Sequence, residues 1–209
     1  MELIKKVLIK LGLKRQVDLQ HYLNIEGWLT PLEAKGLFNI ASLLKKNATV
    51  VEIGCWKGKS TWCIAQGLNK GIINCIDPFN ADGEAGSKEI YEHTKGEKSL
   101  LVQFKENLNA VSKNVTIVLH KGYSNEFVGL IRQIDFLFID GDHSIEGCTF
   151  DFVHFEKDLK VGAYVAFHDY YPDRADLGPT WVIENLVKKN AAYDFHKSYD
   201  SFCVFKKIA

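Results

Sequence analysis

The sequence lacks the features that mark several classes of protein. Its five cysteines contain no CxxC pair, and their odd number and wide spacing argue against a disulfide framework and against a structural zinc site. Its 26 basic residues are balanced by 26 acidic residues, so net charge gives no electrostatic basis for a nucleic-acid partner. The composition predicts a cytoplasmic protein with reduced thiols.

The sequence also lacks a long uninterrupted hydrophobic run. Lysines interrupt the N-terminal segment MELIKKVLIKLGLKRQ, so it predicts neither a stable membrane insertion nor a signal peptide. Its spacing predicts an amphipathic helix that packs on the domain or on a second subunit, and a homodimer would follow from the latter. Binding of this helix to a membrane surface is the alternative.

Strand and helix patterns alternate from residue 48 to residue 189. This alternation is typical of a parallel sheet with helices on both faces, and the segment YDFHKSYDSFCVFKK predicts a closing antiparallel hairpin. The predicted fold class is α/β: a Rossmann-like doubly wound sheet of seven strands, mostly parallel, preceded by N-terminal helices. One helix has its own start signal, since Thr30, Pro31 and Glu33 suit an N-cap, a first helical position and a capping box. The predicted division is an N-terminal helical extension, 1–46, and a sheet domain, 47–209.

The stretch VVEIGCWKGKST combines the end of the first strand with a glycine turn. Gly54 and Gly58 allow positive φ and a close approach of the backbone to a ligand, and the following helix N-terminus offers free N–H groups. The spacing fits neither GxGxxG nor GxxxxGK[ST], which favours a ligand without a diphosphate. Asp77 ends the second strand at the spacing from which an acid bonds ribose hydroxyls. Together, the turn and Asp77 predict a nucleoside-bearing cofactor.

Acids and histidines follow the fourth and fifth strands. Asp140, Asp142 and His143 end the fourth strand, and His168 and Asp169 end the fifth. Because neighbouring strand ends meet at one edge of a sheet, these groups are expected to lie close together. Carboxylates suit Mg²⁺ or Ca²⁺, and a histidine extends the choice to Mn²⁺. The alternative is that these residues cap helices or are ordinary buried polar groups.

The order ExGxxxGxS, followed by an acid ending strand two, resembles the class I S-adenosylmethionine-dependent methyltransferases. The segments FLFIDGDHSIEG, GAYVAFHDY and EGWLTPLEAKGLF resemble the metal-dependent sugar (macrocin-type) O-methyltransferase branch. The resemblance implies S-adenosylmethionine as the cofactor, a divalent metal, and a small-molecule acceptor. It makes residues 47–209 the methyltransferase domain.

The resemblance also implies roles for individual residues. Trp28 and Leu29 would cover the cofactor. Ser124 would border the adenine, and Asp77 would bind the ribose. The full set of predicted cofactor-binding residues is Glu52, Gly54, Cys55, Gly58, Ser60, Asp77, Ser124 and Asp140.

The resemblance further implies Asp140, His168 and Asp169 as the metal ligands, although His168 stands where those methyltransferases usually have an acid. Asp142 is the first candidate for the catalytic base, and His143 is the second, because histidine is the side chain whose ordinary pKa is near neutrality. The long segment 79–98 is expected to be a lid or an acceptor-binding loop.

The predicted function is O-methyl transfer to a hydroxyl of a small polar acceptor such as a sugar, assisted by a divalent metal. Two alternatives stay open from the sequence. One is a cofactor-binding module without catalysis. The other is a metal-dependent hydrolase or hydroxylase that uses Asp140, Asp142, His168 and Asp169.

Overall fold

The computed structural model describes residues 19–82 and 88–209. The amphipathic helix predicted for the first 16 residues lies outside the described residues. Among the described helices, none is long and apolar enough to cross a membrane.

The described part of the chain alternates helices and strands. Two helices, α1 (Leu19–Asn24) and α2 (Pro31–Leu43), precede the first strand. The strands are β1 (Ala48–Ile53), β2 (Gly71–Asp77), β3 (Val115–Lys121), β4 (Ile134–Ile139), β5 (Leu159–Phe167), β6 (Tyr193–Tyr199) and β7 (Phe202–Lys207). Between them lie α3 (Lys59–Gly67), α4 (Lys88–Lys95), α5 (Leu100–Asn107), α6 (Ile145–Phe155) and α7 (Gly178–Val182), which continues into a π-helical turn, Ile183–Val187.

The seven strands form one sheet in the order β3-β2-β1-β4-β5-β7-β6. The five strands β1 to β5 are parallel to one another, and β7 runs antiparallel to both β5 and β6. The predicted seven-stranded, mostly parallel sheet with an antiparallel C-terminal pair is therefore confirmed. The chain reverses its strand order beside β1, so the carboxyl ends of β1 and β4 border the crevice where ligands bind in such sheets.

Apolar side chains cover both faces of the sheet. Val50 of β1 packs with α2, α3 and α5 on one face, whereas Val51 packs with α6 and α7 on the other. Successive side chains of a strand point to opposite faces, which explains why the central strand is a continuous apolar run in the sequence.

Helix α2 begins as predicted. Thr30 accepts a hydrogen bond from the backbone N–H of Glu33 at 3.2 Å, and the Glu33 carboxylate accepts one from the backbone N–H of Thr30 at 2.8 Å. Pro31 occupies the first helical position. The division of the chain into a helical extension, 1–46, and a sheet domain, 47–209, stays a prediction.

Two segments differ from their sequence patterns. The sequence pattern of SNEFVGLIRQ, residues 124–133, predicts a helix, but the segment contains only a single 3₁₀ turn, Ser124–Phe127, and then a turn at Gly129 with φ of 75°. A left-handed residue at this point stops regular helix propagation. The segment 79–98, expected to be a loop, contains helix α4, none of whose residues is buried.

Candidate active site

The glycine turn after β1 has, at its first position, a backbone conformation and surroundings that only glycine fits. Gly54 has φ of 85°, and a Cβ added there would lie 1.9 Å from the carbonyl oxygen of Asp140. Gly58, with φ of 84°, precedes the first turn of α3. Because the backbones of β1 and β4 meet so closely at Gly54, the turn is held directly beside the acids that follow β4.

Asp77, at the end of β2, holds the backbone of this turn. One of its oxygens, Oδ2, accepts hydrogen bonds from the backbone N–H groups of Cys55 and Trp56, each at 2.8 Å. The other, Oδ1, accepts from the backbone N–H of Phe79 at 2.6 Å. Burial raises the pKa of Asp77, while these three hydrogen bonds oppose that rise. The predicted bond from Asp77 to a ribose stays a prediction.

Glu52 lies beneath the turn and is fully buried. Its carboxyl group accepts hydrogen bonds from the hydroxyls of Ser60 and, at 2.6 Å, Thr61. Burial raises the pKa of Glu52 to about 8 even though these hydrogen bonds lower it. Glu52 is therefore mostly protonated at neutral pH, and it joins the end of β1 to the first turn of α3.

A cavity of about 660 Å³ opens at the carboxyl ends of the strands. Most of the predicted cofactor-binding residues line it: Gly54, Cys55, Ser60, Asp77, Ser124 and Asp140. Glu52 and Gly58 are not among the lining residues, although Glu52 accepts a hydrogen bond from Ser60, which is. The predicted residues Asp142, His143 and His168 also line the cavity. The predicted metal ligand Asp169 is not among the lining residues, but its Oδ2 lies 3.2 Å from Nδ1 of His168.

The acids and histidines after β4 and β5 form one cluster. Nδ1 of His168 lies 3.2 Å from Oδ1 of Asp140 and 3.2 Å from Oδ2 of Asp169. Nε2 of His143 lies 3.1 Å from Oδ2 of Asp169 and 3.6 Å from Oδ1 of Asp140. The structure thus brings together the three predicted metal ligands and the second candidate for the base.

Glu33 also belongs to this cluster, and sequence reasoning missed it. Its Oε2 lies 3.2 Å from Nε2 of His168. Its Oε1 accepts hydrogen bonds from Ser201, between β6 and β7, from the hydroxyl at 2.7 Å and from the backbone N–H at 3.1 Å. The capping box in the sequence predicted the hydrogen bonds between Glu33 and Thr30. No local sequence pattern indicated the contacts of Glu33 with His168 and Ser201, which are distant in the chain.

These contacts shift the pKa values of the cluster. Burial alone would raise the pKa of Glu33, but hydrogen bonds from His168, Ser201 and Thr30 outweigh burial and lower it to about 2. Burial alone would lower the pKa of His168, but the charge of Asp140 and the hydrogen bonds to three carboxylates raise it well above its ordinary value. Burial would likewise raise the pKa of Asp169, yet hydrogen bonds from His143 and His168 hold it below its ordinary value.

The donor set fits a divalent cation in part. One ligand atom each from Asp140, His143 and Asp169 lies within 4.8 Å of the others, and two carboxylate oxygens with one imidazole nitrogen suit Mg²⁺ or Mn²⁺. His168 faces carboxylates with both ring nitrogens. An imidazole that donates hydrogen bonds from both nitrogens has no lone pair to bind a metal. His143 is therefore better suited than His168 to be a metal ligand.

Asp142 has a structural contact of its own. Its Oδ1 accepts a hydrogen bond from the backbone N–H of Ser144 at 2.7 Å, next to the start of α6. The side chain of Ser144 in turn accepts from the backbone N–H of Gly147 at 3.0 Å and caps the helix. Asp142 is exposed where it borders the cavity, whereas His143 is half-buried between the two carboxylates.

Three aromatic rings form part of the cavity wall on the side of the N-terminal helices. The ring centroids of Trp28, Trp56 and Tyr91 lie 5.2 to 5.7 Å apart, and all three residues line the cavity. Trp28 is half exposed. The sequence prediction that Trp28 and Leu29 cover the cofactor is consistent with their place in this wall and stays a prediction.

Residues 51–170, more than half of the chain, match a family model described as a methyltransferase domain (Methyltransf_24). The chain belongs to this methyltransferase family. The predicted family, the class I S-adenosylmethionine-dependent methyltransferases, is thereby confirmed, and the matched residues include the glycine turn, Asp77 and the strand-end residues Asp140, Asp142, His168 and Asp169.

The chain is also similar to one curated relative and to solved structures. Protein R132 of Acanthamoeba polyphaga mimivirus, described as uncharacterized, is 31% identical over 141 residues, 64% of this chain and 57% of that protein. The chain therefore spans little more than half the length of that relative. A methyltransferase from Geobacter sulfurreducens has a TM-score of 0.65 at 15% identity, covering 100% of this chain and 97% of its own. The O-methyltransferase TomG from Streptomyces achromogenes has a TM-score of 0.61 at 16% identity, covering 87% and 82%. These two structures confirm the fold.

Proposed function

We propose that this methyltransferase transfers the methyl group of S-adenosylmethionine to a hydroxyl of a small polar acceptor, such as a sugar. The observation that carries the proposal is the position of His143, which lines the cavity 3.1 Å from the Asp169 carboxylate. An imidazole beside a carboxylate is suited to accept a proton. The solved structure of TomG, an O-methyltransferase in complex with S-adenosylmethionine, supports the same cofactor and reaction class here.

The reaction needs an acceptor oxygen aligned with the methyl carbon. In the proposed reaction the acceptor O–H bond breaks and its proton passes to His143. The oxygen forms a bond to the methyl carbon, and the C–S bond breaks with its electron pair on sulfur, which yields S-adenosylhomocysteine. Asp169 and Asp140 orient His143 and stabilise its positive charge once it is protonated.

We include a divalent ion in the proposal, held by the carboxylates of Asp140 and Asp169. A hard ion such as Mg²⁺ is commonly bound by one or two carboxylates together with substrate oxygens. When bound, the ion would supply Lewis acidity that lowers the pKa of the acceptor hydroxyl. His143 can serve either as the base or as a third ligand. We favour the base, because the half-buried imidazole has the Asp169 carboxylate beside it to stabilise its protonated form, whereas Asp142 is exposed.

The test of His143 is the variant His143→Asn. Release of S-adenosylhomocysteine is measured with a panel of nucleotide sugars, glycosides and catechols as acceptors. We expect turnover to fall by roughly 10²–10⁴-fold, the usual contribution of a general base, with unchanged affinity for S-adenosylhomocysteine. His196→Asn, an exposed histidine on β6, is the matched control and should leave both unchanged. Full turnover in His143→Asn, with loss in Asp142→Asn, would show that Asp142 is the base.

The test of the metal is chelation followed by titration with Mg²⁺ or Mn²⁺. The proposal predicts that chelation lowers turnover of the wild-type protein and that added ion restores it. Asp169→Asn should remove this restoration while cofactor binding is retained. Turnover that is indifferent to chelation and to every added ion would contradict the metal-assisted form of the proposal.

A further inference from the structure

A buried carboxyl group on α6 faces the cavity and takes no part in the acid and histidine cluster. Asp151 is only 3% exposed, yet it lines the cavity. Ser124, in the turn after β3, donates a hydrogen bond from its hydroxyl to Oδ1 of Asp151 at 2.5 Å. The other oxygen, Oδ2, lies beside Gly141, 3.4 Å from the position that a Cβ on that residue would take. Sequence reasoning placed Ser124 near the cofactor but missed Asp151.

The surroundings of Asp151 favour its neutral form. Burial raises its pKa to about 7, against the lowering effect of the Ser124 hydrogen bond, and the negative charge of Asp142 adds to the rise. Cys148, the titratable neighbour on the same helix, is itself kept protonated because burial raises its pKa. Ser124, which contacts Asp151 from the β3 side, carries no charge. A protonated carboxyl group is therefore available near neutral pH.

Ser124 also determines which oxygen of the neutral carboxyl group is the acceptor. Since Oδ1 accepts from the serine hydroxyl, the proton is favoured on Oδ2. The group then presents one donor and one acceptor side by side, as the amide of asparagine does. Asparagine and glutamine recognise adenine through this pattern, by donating to a ring nitrogen and accepting from the 6-amino group. A 6-oxopurine presents the reverse pattern at its N1 and O6 positions.

We propose that Asp151, with its polarity set by Ser124, binds the amino-bearing edge of the adenine of the methyl donor and selects adenine over a 6-oxopurine. This inference rests on the proposed binding of S-adenosylmethionine in the cavity. It assigns the recognition of the adenine ring to the Ser124–Asp151 pair, which takes no part in the proposed proton transfer. Phe150, on the same helix, lines the adjoining part of the wall.

The experiment compares two probes by calorimetry: S-adenosylhomocysteine and its deaminated analogue S-inosylhomocysteine. At pH 6 the wild-type protein should bind the adenosyl compound at least roughly tenfold more tightly, because a mismatched buried pair leaves polar groups unbonded. Asp151→Asn reproduces the donor and acceptor pattern and should keep this ratio. Asp151→Ala and Ser124→Ala should reduce it towards one. Asp194→Asn, an exposed aspartate on β6, is the matched control.

The pH dependence gives a second readout. If only the protonated form of Asp151 binds adenine, the wild-type affinity for S-adenosylhomocysteine should fall about tenfold between pH 6 and pH 8, as a group with a pKa near 7 ionises. In Asp151→Asn this fall should be absent.

The outcomes separate the inference from the function on which it rests. If the folded wild-type protein binds neither probe, the proposed cofactor site fails. If it binds S-adenosylhomocysteine but Asp151→Ala keeps the wild-type ratio, only the role of Asp151 is overturned. An Asp151→Asn variant with the wild-type pH dependence would also overturn it. The ratio of two affinities is taken within each variant, so a loss of folded protein leaves it unchanged.

Discussion

The substitution Glu33→Gln tests whether the N-terminal helix α2 is anchored to the acid and histidine cluster. Glu33 is 2% exposed, and its pKa is lowered from 4.5 to about 2. A shift of this size corresponds to about 3 kcal/mol of stability at pH 7. Removal of one member of a buried ion pair costs a similar amount, about 3 to 5 kcal/mol. For a chain of this length the melting temperature should fall by roughly 6–12 °C.

The pH dependence of this effect has a definite sign. Because the folded pKa of Glu33 lies below its unfolded value, the carboxylate stabilises the fold above pH 4.5 and this contribution is lost as the pH falls towards 2. Urea unfolding of wild type and Glu33→Gln should therefore differ by about 3 kcal/mol at pH 7 and by about 2 kcal/mol at pH 3.5. Glu89→Gln, at an exposed position of α4, should change stability by less than about 0.5 kcal/mol. Equal stability of Glu33→Gln and wild type at pH 7 would refute the claim that Glu33 anchors α2 to the cluster.

Two further substitutions test the glycine turn and its support. Gly54→Ala should lower stability by more than roughly 2 kcal/mol, because a positive φ and a contact with the Asp140 backbone oxygen both oppose the added Cβ; a normal thermal melt would contradict this. Glu52→Gln should flatten the pH dependence of unfolding between pH 5 and pH 8. The wild-type carboxyl group stays protonated in the fold up to about pH 8 but ionises in the unfolded chain above about 4.5, so the wild type loses stability as the pH rises. Denaturant unfolding at pH 5.5 and 7.5 measures the difference, and equal slopes for the two proteins would count against a protonated Glu52.

The sheet could be predicted from the sequence because its signals are local. The β-branched run 48–53 and the runs that follow it show strand patterns within a few residues, and turns or glycines end them. The closing hairpin shows the same alternation around a turn at Asp200 and Ser201. The parallel arrangement then follows from the alternation of strands with helices.

The candidate site could be predicted only in outline. The carboxyl ends of parallel strands share an edge, so the meeting of Asp140 with Asp169 was predictable. The contacts Glu33–His168 and Ser124–Asp151 join elements that are distant in the chain. No periodicity or spacing in the sequence predicts such contacts. For the same reason the sequence could not show that His168 faces carboxylates with both ring nitrogens, which changes the choice of metal ligand.

The central claim is that the cavity at the carboxyl ends of the strands binds S-adenosylmethionine through the glycine turn. The most direct measurement is calorimetric titration of the folded protein with S-adenosylhomocysteine. The account predicts saturable binding at one site per chain in the wild type. It also predicts that Ser60→Ala, whose side chain lines the cavity beside Glu52, binds more weakly. Absence of binding to correctly folded wild-type protein would contradict the account.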